Sequence, residues 1–283
     1  MVSMGAAVSA EAGPILIKNR GSDTMSHLAQ AWAANYHQNQ PEVSFDVRGC
    51  GSGSGFSALL NGSADLANAS RPIQKKELAE AAKNGVAPRE FVVAHDALAI
   101  FVHKGNPLEW LSMNNLADLF ADGGFIDDWT KLGVTVPGCA NNKIVLVGRK
   151  TDSGTHAFFQ EAVLGSGREF KHNELSKDMN DSDEVMAMVE KEPCAIGYSG
   201  LAYETTAVKK LRIAKEHGSQ AMEANGENAV NRSYPLARPL YMYANGEPKG
   251  EVRAYMDWVL SDAGQCLVAK IGYAPIRAVK CTP

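Results

Sequence analysis

What this sequence lacks narrows its function before any motif is read. It has no run of about 18 consecutive apolar residues, the length a membrane-spanning helix requires. It has no basic excess either. Lys and Arg number 28 against 32 Asp and Glu, a formal net charge of -4, so the electrostatic footprint of a nucleic-acid binder is missing and no nucleic-acid partner is expected. No CxxC pair occurs and no Cys/His cluster has zinc spacing, so neither a metal nor another cofactor is expected. Internal repeats and low-complexity tracts are also missing. With the overall field negative, an anionic ligand has to be held by local groups.

What is present suits a globular chain. Its 283 residues, 45% apolar and 21% charged, fit one large domain or two of ordinary size. That length buries a core without help from a metal or a disulfide. Five cysteines occur: Cys50, Cys139, Cys194, Cys266 and Cys281. Cys266 and Cys281 are near enough in sequence to be bridged in an oxidising compartment, and an odd count leaves at least one thiol unpaired within the chain. The pairing itself is not deducible. Residues 1–10, MVSMGAAVSA, are small and apolar and end in Val8-Ser9-Ala10, which fits a signal-peptidase site. The charged n-region is missing, so these residues read as a shortened signal peptide; the alternative is an unstructured N-terminus. On the first reading the mature protein starts near Glu11 and is exported to the periplasm.

Apolar spacing switches repeatedly between strand and helix patterns. Ile15-Leu16-Ile17, Val43–Val47, Phe91-Val92-Val93, Leu98–Val102, Ile144–Val147 and Ala195–Tyr198 read as strands, with Phe91–Val93 and Leu98–Val102 as successive ones. Met25, Leu28, Ala29, Trp32 and Tyr36 recur at helical spacing, as do Phe56, Leu59 and Leu60. Phe158, Phe159, Ala162 and Val163 form a helix that Gly165 stops. This alternation predicts an α/β fold with parallel sheets and helices on both faces. The chain is expected to cross between domains around Asp96-Ala97 and again along Tyr234–Leu240.

Three loops share one design: each follows a strand, is rich in Gly, Ser and Thr, and opens a helix. They are Gly21-Ser22-Asp23-Thr24-Met25, Gly51-Ser52-Gly53-Ser54-Gly55 and Arg149-Lys150-Thr151-Asp152-Ser153-Gly154-Thr155. The first turn of a helix has N–H groups without partners and carries partial positive charge. Ser and Thr add hydroxyl donors, and Gly lets the backbone approach a ligand closely. One such loop is an anion site. Three that converge can surround a tetrahedral oxyanion, and Arg149 adds a two-pronged cation. Singly, each Ser or Thr is as well explained as a helix cap. A fourth segment, Asp65–Pro72, ends in Ser70-Arg71; Arg71 binds ligand or, as the residues favour, pairs with a carboxylate.

The set GSDTM, GSGSG, DLANASRPI, GRKTDSGTHAFFQEAVLG and PCAIGYSGLAY, in this order over nearly the whole mature chain, resembles the phosphate-binding proteins of bacterial phosphate ABC transporters. The intervals from Thr24 to Ser52 and from Ser52 to Ser70 fit that family as well. The resemblance implies a two-lobed type II periplasmic binding-protein fold with a ligand cleft between the lobes. The lobes are expected to comprise residues 11–95 plus 241–283, and residues 96–240. It implies inorganic phosphate as ligand, the membrane permease of an ABC importer as partner, and a monomer that is not an enzyme. By position, Thr24 and Met25 supply backbone N–H, with the Thr24 hydroxyl added. Ser52 donates through N–H and hydroxyl, Arg149 is the cationic clamp, and Ser153, Gly154 and Thr155 form the opposing helix-end nest. Ser70 belongs to the same set; Ser22, Asp23, Gly53, Ser54, Arg71 and Asp152 are secondary candidates. Two departures stand out. Another branch of the family has a carboxylate where Ser70 stands, to accept the proton of hydrogen phosphate; here Asp23 or Asp152 is expected to do so. Cys194 stands where Gly is usual.

The alternatives are a receptor of the same fold for sulfate, arsenate or molybdate, and a phosphatase-like enzyme with Ser52 or Ser153 as nucleophile. No acid/base pair supports the enzyme. Asp152-Ser153-Gly154-Thr155 matches the aspartic-protease signature, but that chemistry needs two facing copies and only one is present. His27, His95, His103 and His156 are too scattered for a triad.

Overall fold

Apolar residues at alternating or helical spacing set the elements. The computed structural model describes residues 14–165 and 167–281; the expected signal-peptide remnant, residues 1–10, lies outside the described residues. β1 (Ile15–Gly21) leads through a 3-10 turn into α1 (Ser26–Asn39), which buries Leu28, Ala29, Trp32, Ala33 and Tyr36. β2 (Val43–Gly49), α2 (Ser52–Leu60), β3 (Leu66–Ala69) and α3 (Lys75–Lys83) follow. After β4 (Pro88–His103) come β5 (Trp110–Ser112), α4 (Met113–Phe120), β6 (Val145–Arg149), α5 (Gly154–Phe159), β7 (Ser176–Met179) and α6 (Ser182–Lys191). β8 (Ala195–Gly200), β9 (Val208–Ala214), β10 (Ala221–Met222), α7 (Gly226–Val230), β11 (Ala237–Asn245), α8 (Gly250–Leu260) and α9 (Asp262–Ile271) complete the order. Among the described residues no helix is long and apolar enough to cross a membrane.

The strands lie in the order β2-β1-β3-β11-β4-β8-β6-β7. β1 is parallel to β2 and β3, and β6 is parallel to β7 and β8. β4 and β11 are antiparallel to each other, and each is antiparallel to its outer neighbour. The sheets are therefore mixed where the alternation predicted parallel ones. The cause is β4, read from sequence as two strands but continuous over 16 residues. It pairs with β11 along Pro88–Ala97 and with β8 along Leu98–Val102, so one strand belongs to both sheets. Asp96, at the expected domain crossing, is 1% exposed and lies opposite Arg238 of β11.

The apolar core divides at the same place. Two clusters lie before it and after it in sequence, one running from Ile17 to Ala94 and resuming at Leu240, the other joining Phe56, Leu59, Ala67 and Ala69 to Tyr241 and Tyr243. A third runs from Ala97 to Leu236 and takes in Ala274. α5 begins as an α-helix, widens to a π turn over Gln160–Leu164 and stops at Gly165 (φ 74°). Two disulfides form, Cys139–Cys194 and Cys266–Cys281, and Cys50 is free and exposed. The cysteine at 194 thus has a partner in Cys139, which ties the start of β8 to the loop before β6.

Candidate functional site

Each of the three Gly/Ser/Thr loops joins a strand end to a helix start. β1 ends at Gly21, and Ser22, Asp23 and Thr24 are buried in the turn before α1. After β2, Gly51 adopts φ 84°, and α2 opens at Ser52, which is fully buried. A Cβ at Gly51 would lie 2.8 Å from the carbonyl oxygen of Asp152, so only glycine permits that approach. β6 ends at Arg149, and Ser153 caps α5. Ser70 follows β3 directly.

The loops converge on a buried group of hydroxyls drawn from both halves of the molecule. Ser22 Oγ donates to Ser70 Oγ (3.0 Å), and Ser52 Oγ lies 3.4 Å from Ser70 Oγ. The Ser70 amide donates to Ser52 Oγ at 3.1 Å. Thr24 Oγ1 and Thr155 Oγ1 are 2.7 Å apart across the halves. Gly154 sits against this group: an added Cβ would lie 2.2 Å from Ser52 Oγ and 2.5 Å from Ser70 Oγ. The Gly53 amide donates to Asp152 O (3.1 Å), a second bond between the halves. Beside it opens a groove of about 630 Å³, lined from one half by Gly53, Arg71 and Glu77 and from the other by Asp152, His156 and Phe170.

Two arginines are buried here, each beside an aspartate. Arg149, 0% exposed, holds Asp23 Oδ1 through Nη2 (2.6 Å); it also donates to Ser182 Oγ (3.2 Å) and Asn180 O (2.9 Å). Its Nε has no hydrogen-bond partner. Ser182 Oγ donates to Asp23 Oδ2 (3.3 Å), and Tyr203 donates to Asp23 O (2.6 Å). Arg238 grips Asp96 Oδ2 through Nε (3.0 Å) and Nη2 (2.9 Å). The same Nη2 reaches Thr155 Oγ1 (3.1 Å), and Nη1 reaches Ser70 O (3.2 Å). Burial first, then the nearby Asp23 carboxylate, pushes the Tyr203 hydroxyl far above its ordinary range, so it stays a donor. Burial pushes the His156 imidazole below its ordinary range against its bond to Arg149 O, to which Nδ1–H donates at 2.7 Å.

Not every expected residue meets this group in the expected role. Ser22, Thr24, Ser52, Ser70, Gly154 and Thr155 come together. Ser153 turns its hydroxyl to the Thr155 and His156 amides (3.1 and 3.4 Å) as a cap. The Met25 amide is held by Ser22 O (3.1 Å), and its side chain lies in the core. Ser54 is half-buried and makes no side-chain hydrogen bond among the described residues. Arg71 is engaged by Glu77 in a two-pronged pair (2.8 and 2.7 Å), a buried carboxylate that also caps α3 by accepting from the Gln74 amide (2.7 Å). Asp152 is exposed at the edge of the group, and the two Asp23 oxygens are engaged by Arg149 and Ser182. Sequence reading missed Arg238 and Asp96. Their signal was a charge inside each of two apolar crossing segments.

Comparison with known proteins places this geometry. The PBP superfamily domain matches residues 7–263. The phosphate-binding protein PstS of Pseudomonas aeruginosa is 36% identical over 269 residues, covering 91% of this chain and 82% of that protein. Protein SphX of Synechococcus elongatus is 30% identical, covering 95% and 80%. A crystal structure from Clostridium perfringens, described as a phosphate ABC transporter substrate-binding protein with bound phosphate, superposes with a TM-score of 0.79 at 27% identity, covering 93% of this chain and all of that one. The chain belongs to the PBP superfamily and, within it, to the family of the PstS phosphate-binding proteins: a two-lobed type II periplasmic binding protein, not an enzyme.

Proposed function

We propose that this protein is an extracytoplasmic receptor that captures inorganic phosphate between its lobes and delivers it, as a monomer, to the membrane permease of a phosphate ABC importer. The observation that carries this reading is the 2.7 Å approach of Thr24 and Thr155 hydroxyls from opposite halves, inside a group of buried Ser hydroxyls. Every hydroxyl of that group is able to donate. A tetrahedral oxyanion accepts from all of them at once and takes the place of their weaker contacts with one another. Ser22, Thr24, Ser52 and Ser70 bind it from one side, and Gly154 and Thr155 from the other, with the α2 and α5 N-termini adding partial positive charge. Arg149 and Arg238 supply full charge. The neighbouring groove is the route by which the anion reaches them.

The lobes of this reading are residues 11–95 plus 241–283, and residues 96–240, joined where β4 and β11 run side by side. Export to the periplasm follows from the same function, since the permease takes its cargo from outside the membrane. The test is a thermal melt on protein stripped of bound phosphate. Phosphate at ~100 times its dissociation constant adds about 2.7 kcal/mol to stability. No shift in millimolar phosphate overturns the reading.

A further inference from the structure

A second pocket, of about 630 Å³, opens where the two crossing segments meet α4 and α7, and none of the hydroxyls gathered between the halves lines it. Its charge is one-sided. His95 of β4, Lys215 after β9, Arg232 after α7 and Arg238 of β11 line it, and among the described residues no Asp or Glu does. The chain as a whole is negative, with a net charge of -4, so the sign of this wall is local. Arg238 is spent on Asp96. Lys215 and Arg232 make no ion pair and no side-chain hydrogen bond among the described residues, so two cations border the pocket without a counter-charge. Two further observations fall on the same wall. Arg232 has φ 59°, in the left-handed region, and follows the C-cap of α7, where glycine is the usual occupant. An arginine there holds its backbone at a steric cost. The Nδ1 of His95 is buried and has no hydrogen-bond partner. Burial first, then the Arg232 charge, holds the His95 imidazole below its ordinary range, and no carboxylate opposes them.

We propose that this pocket is a second ligand site and takes an organic phosphate monoester, with the phosphate between Arg232, Lys215 and His95 and the organic part against Met113, Pro235 and Pro239. Two cations without a counter-charge call for a dianion. A phosphate group presents three oxygens, enough for the guanidinium fork, the ammonium and the imidazole together. The size of the pocket calls for more than an inorganic ion, since small organic ligands occupy pockets of about 300–1,000 Å³. Met113, Pro235 and Pro239 give such a ligand apolar surface to cover. The phosphate between the lobes and the monoester in this pocket are therefore held by different residues, and one does not exclude the other.

AMP and adenosine, the same body with and without the phosphate, are titrated calorimetrically at neutral pH into the parent, in excess inorganic phosphate and again after stripping. The variant is Lys215→Ala with Arg232→Gly; both residues are exposed, and glycine suits the left-handed backbone, so the fold is kept. The parent is expected to bind one AMP in excess phosphate and adenosine at least about tenfold more weakly, and the variant to bind AMP weaker by about tenfold or more. In proton NMR, AMP is expected to raise the pH at which the His95 ring titrates in the parent and not in the variant. AMP that binds only the stripped protein occupies the cleft between the lobes and overturns the proposal. So does equal affinity for AMP and adenosine, or a variant that binds AMP as the parent does.

Discussion

Arg238 and Asp96 face each other across β11 and β4, the two strands shared by both halves of the molecule, and their guanidinium and carboxylate are almost wholly buried. The pair anchors the crossing, and through Thr155 and Ser70 it also touches the hydroxyl group. Removing one member of such a pair strands a charge in the interior, whereas replacing both by apolar residues does not. Arg238→Met is expected to destabilise the protein by about 3–5 kcal/mol, and Arg238→Met with Asp96→Leu to recover much of that loss. Urea unfolding of the parent, the single and the double variant measures both. A single variant within about 1 kcal/mol of the parent contradicts the anchoring role.

Arg149 is expected to matter more for phosphate than any one hydroxyl. Arg149→Ala costs binding roughly 2–5 kcal/mol, against about 0.5–1.5 kcal/mol for Ser52→Ala or Thr155→Ala. Arg149→Lys should also bind weakly, because an ammonium makes no two-pronged contact. Equal phosphate affinities for Arg149→Ala and the parent, by fluorescence titration, would leave Arg149 with Asp23 alone.

Gly154→Ala tests the close approach of the halves. Its Cβ would fall on the Ser52 and Ser70 hydroxyls, which must then rotate out of the site. We expect the variant to melt near the parent's temperature without phosphate and to lose most of the stabilisation that phosphate gives. A full phosphate-induced shift would mean that the hydroxyls do not gather around the ligand.

Much of this was legible in the sequence, because local rules govern it. Gly-Ser-Thr loops between strand and helix patterns foretold the three convergent turns, and Cys266 lay near enough to Cys281 to pair with it. What was hidden depends on distant strands. Asp96 read only as part of a domain crossing between two strands, because its partner lies 142 residues away on β11. Arg71 named a loop but not Glu77 beneath it, and Asp23 showed a carboxylate without showing that Arg149 and Ser182 had taken both oxygens. Cys194 looked like a departure until Cys139 was found across from it.

His156 carries a pH signature. Burial lowers its folded pKa below the ordinary 6.5, so the unfolded chain binds the proton more readily. The stability contributed by the neutral ring is present above about pH 6.5 and is lost as pH falls through that value towards the folded pKa. His156→Gln is therefore expected to lose less stability between pH 7.5 and pH 5 than the parent. Unfolding curves that show the same loss for both would assign the acid sensitivity elsewhere, with His95, also lowered by burial, the next candidate.

Isothermal titration of the phosphate-stripped protein with inorganic phosphate tests the central claim most directly. We predict one phosphate per chain, with affinity severely weakened by Thr24→Ala combined with Thr155→Ala, one change on each half. Binding that survives the double change intact would put the anion outside the hydroxyl group, and no saturable phosphate binding by the parent would contradict the account.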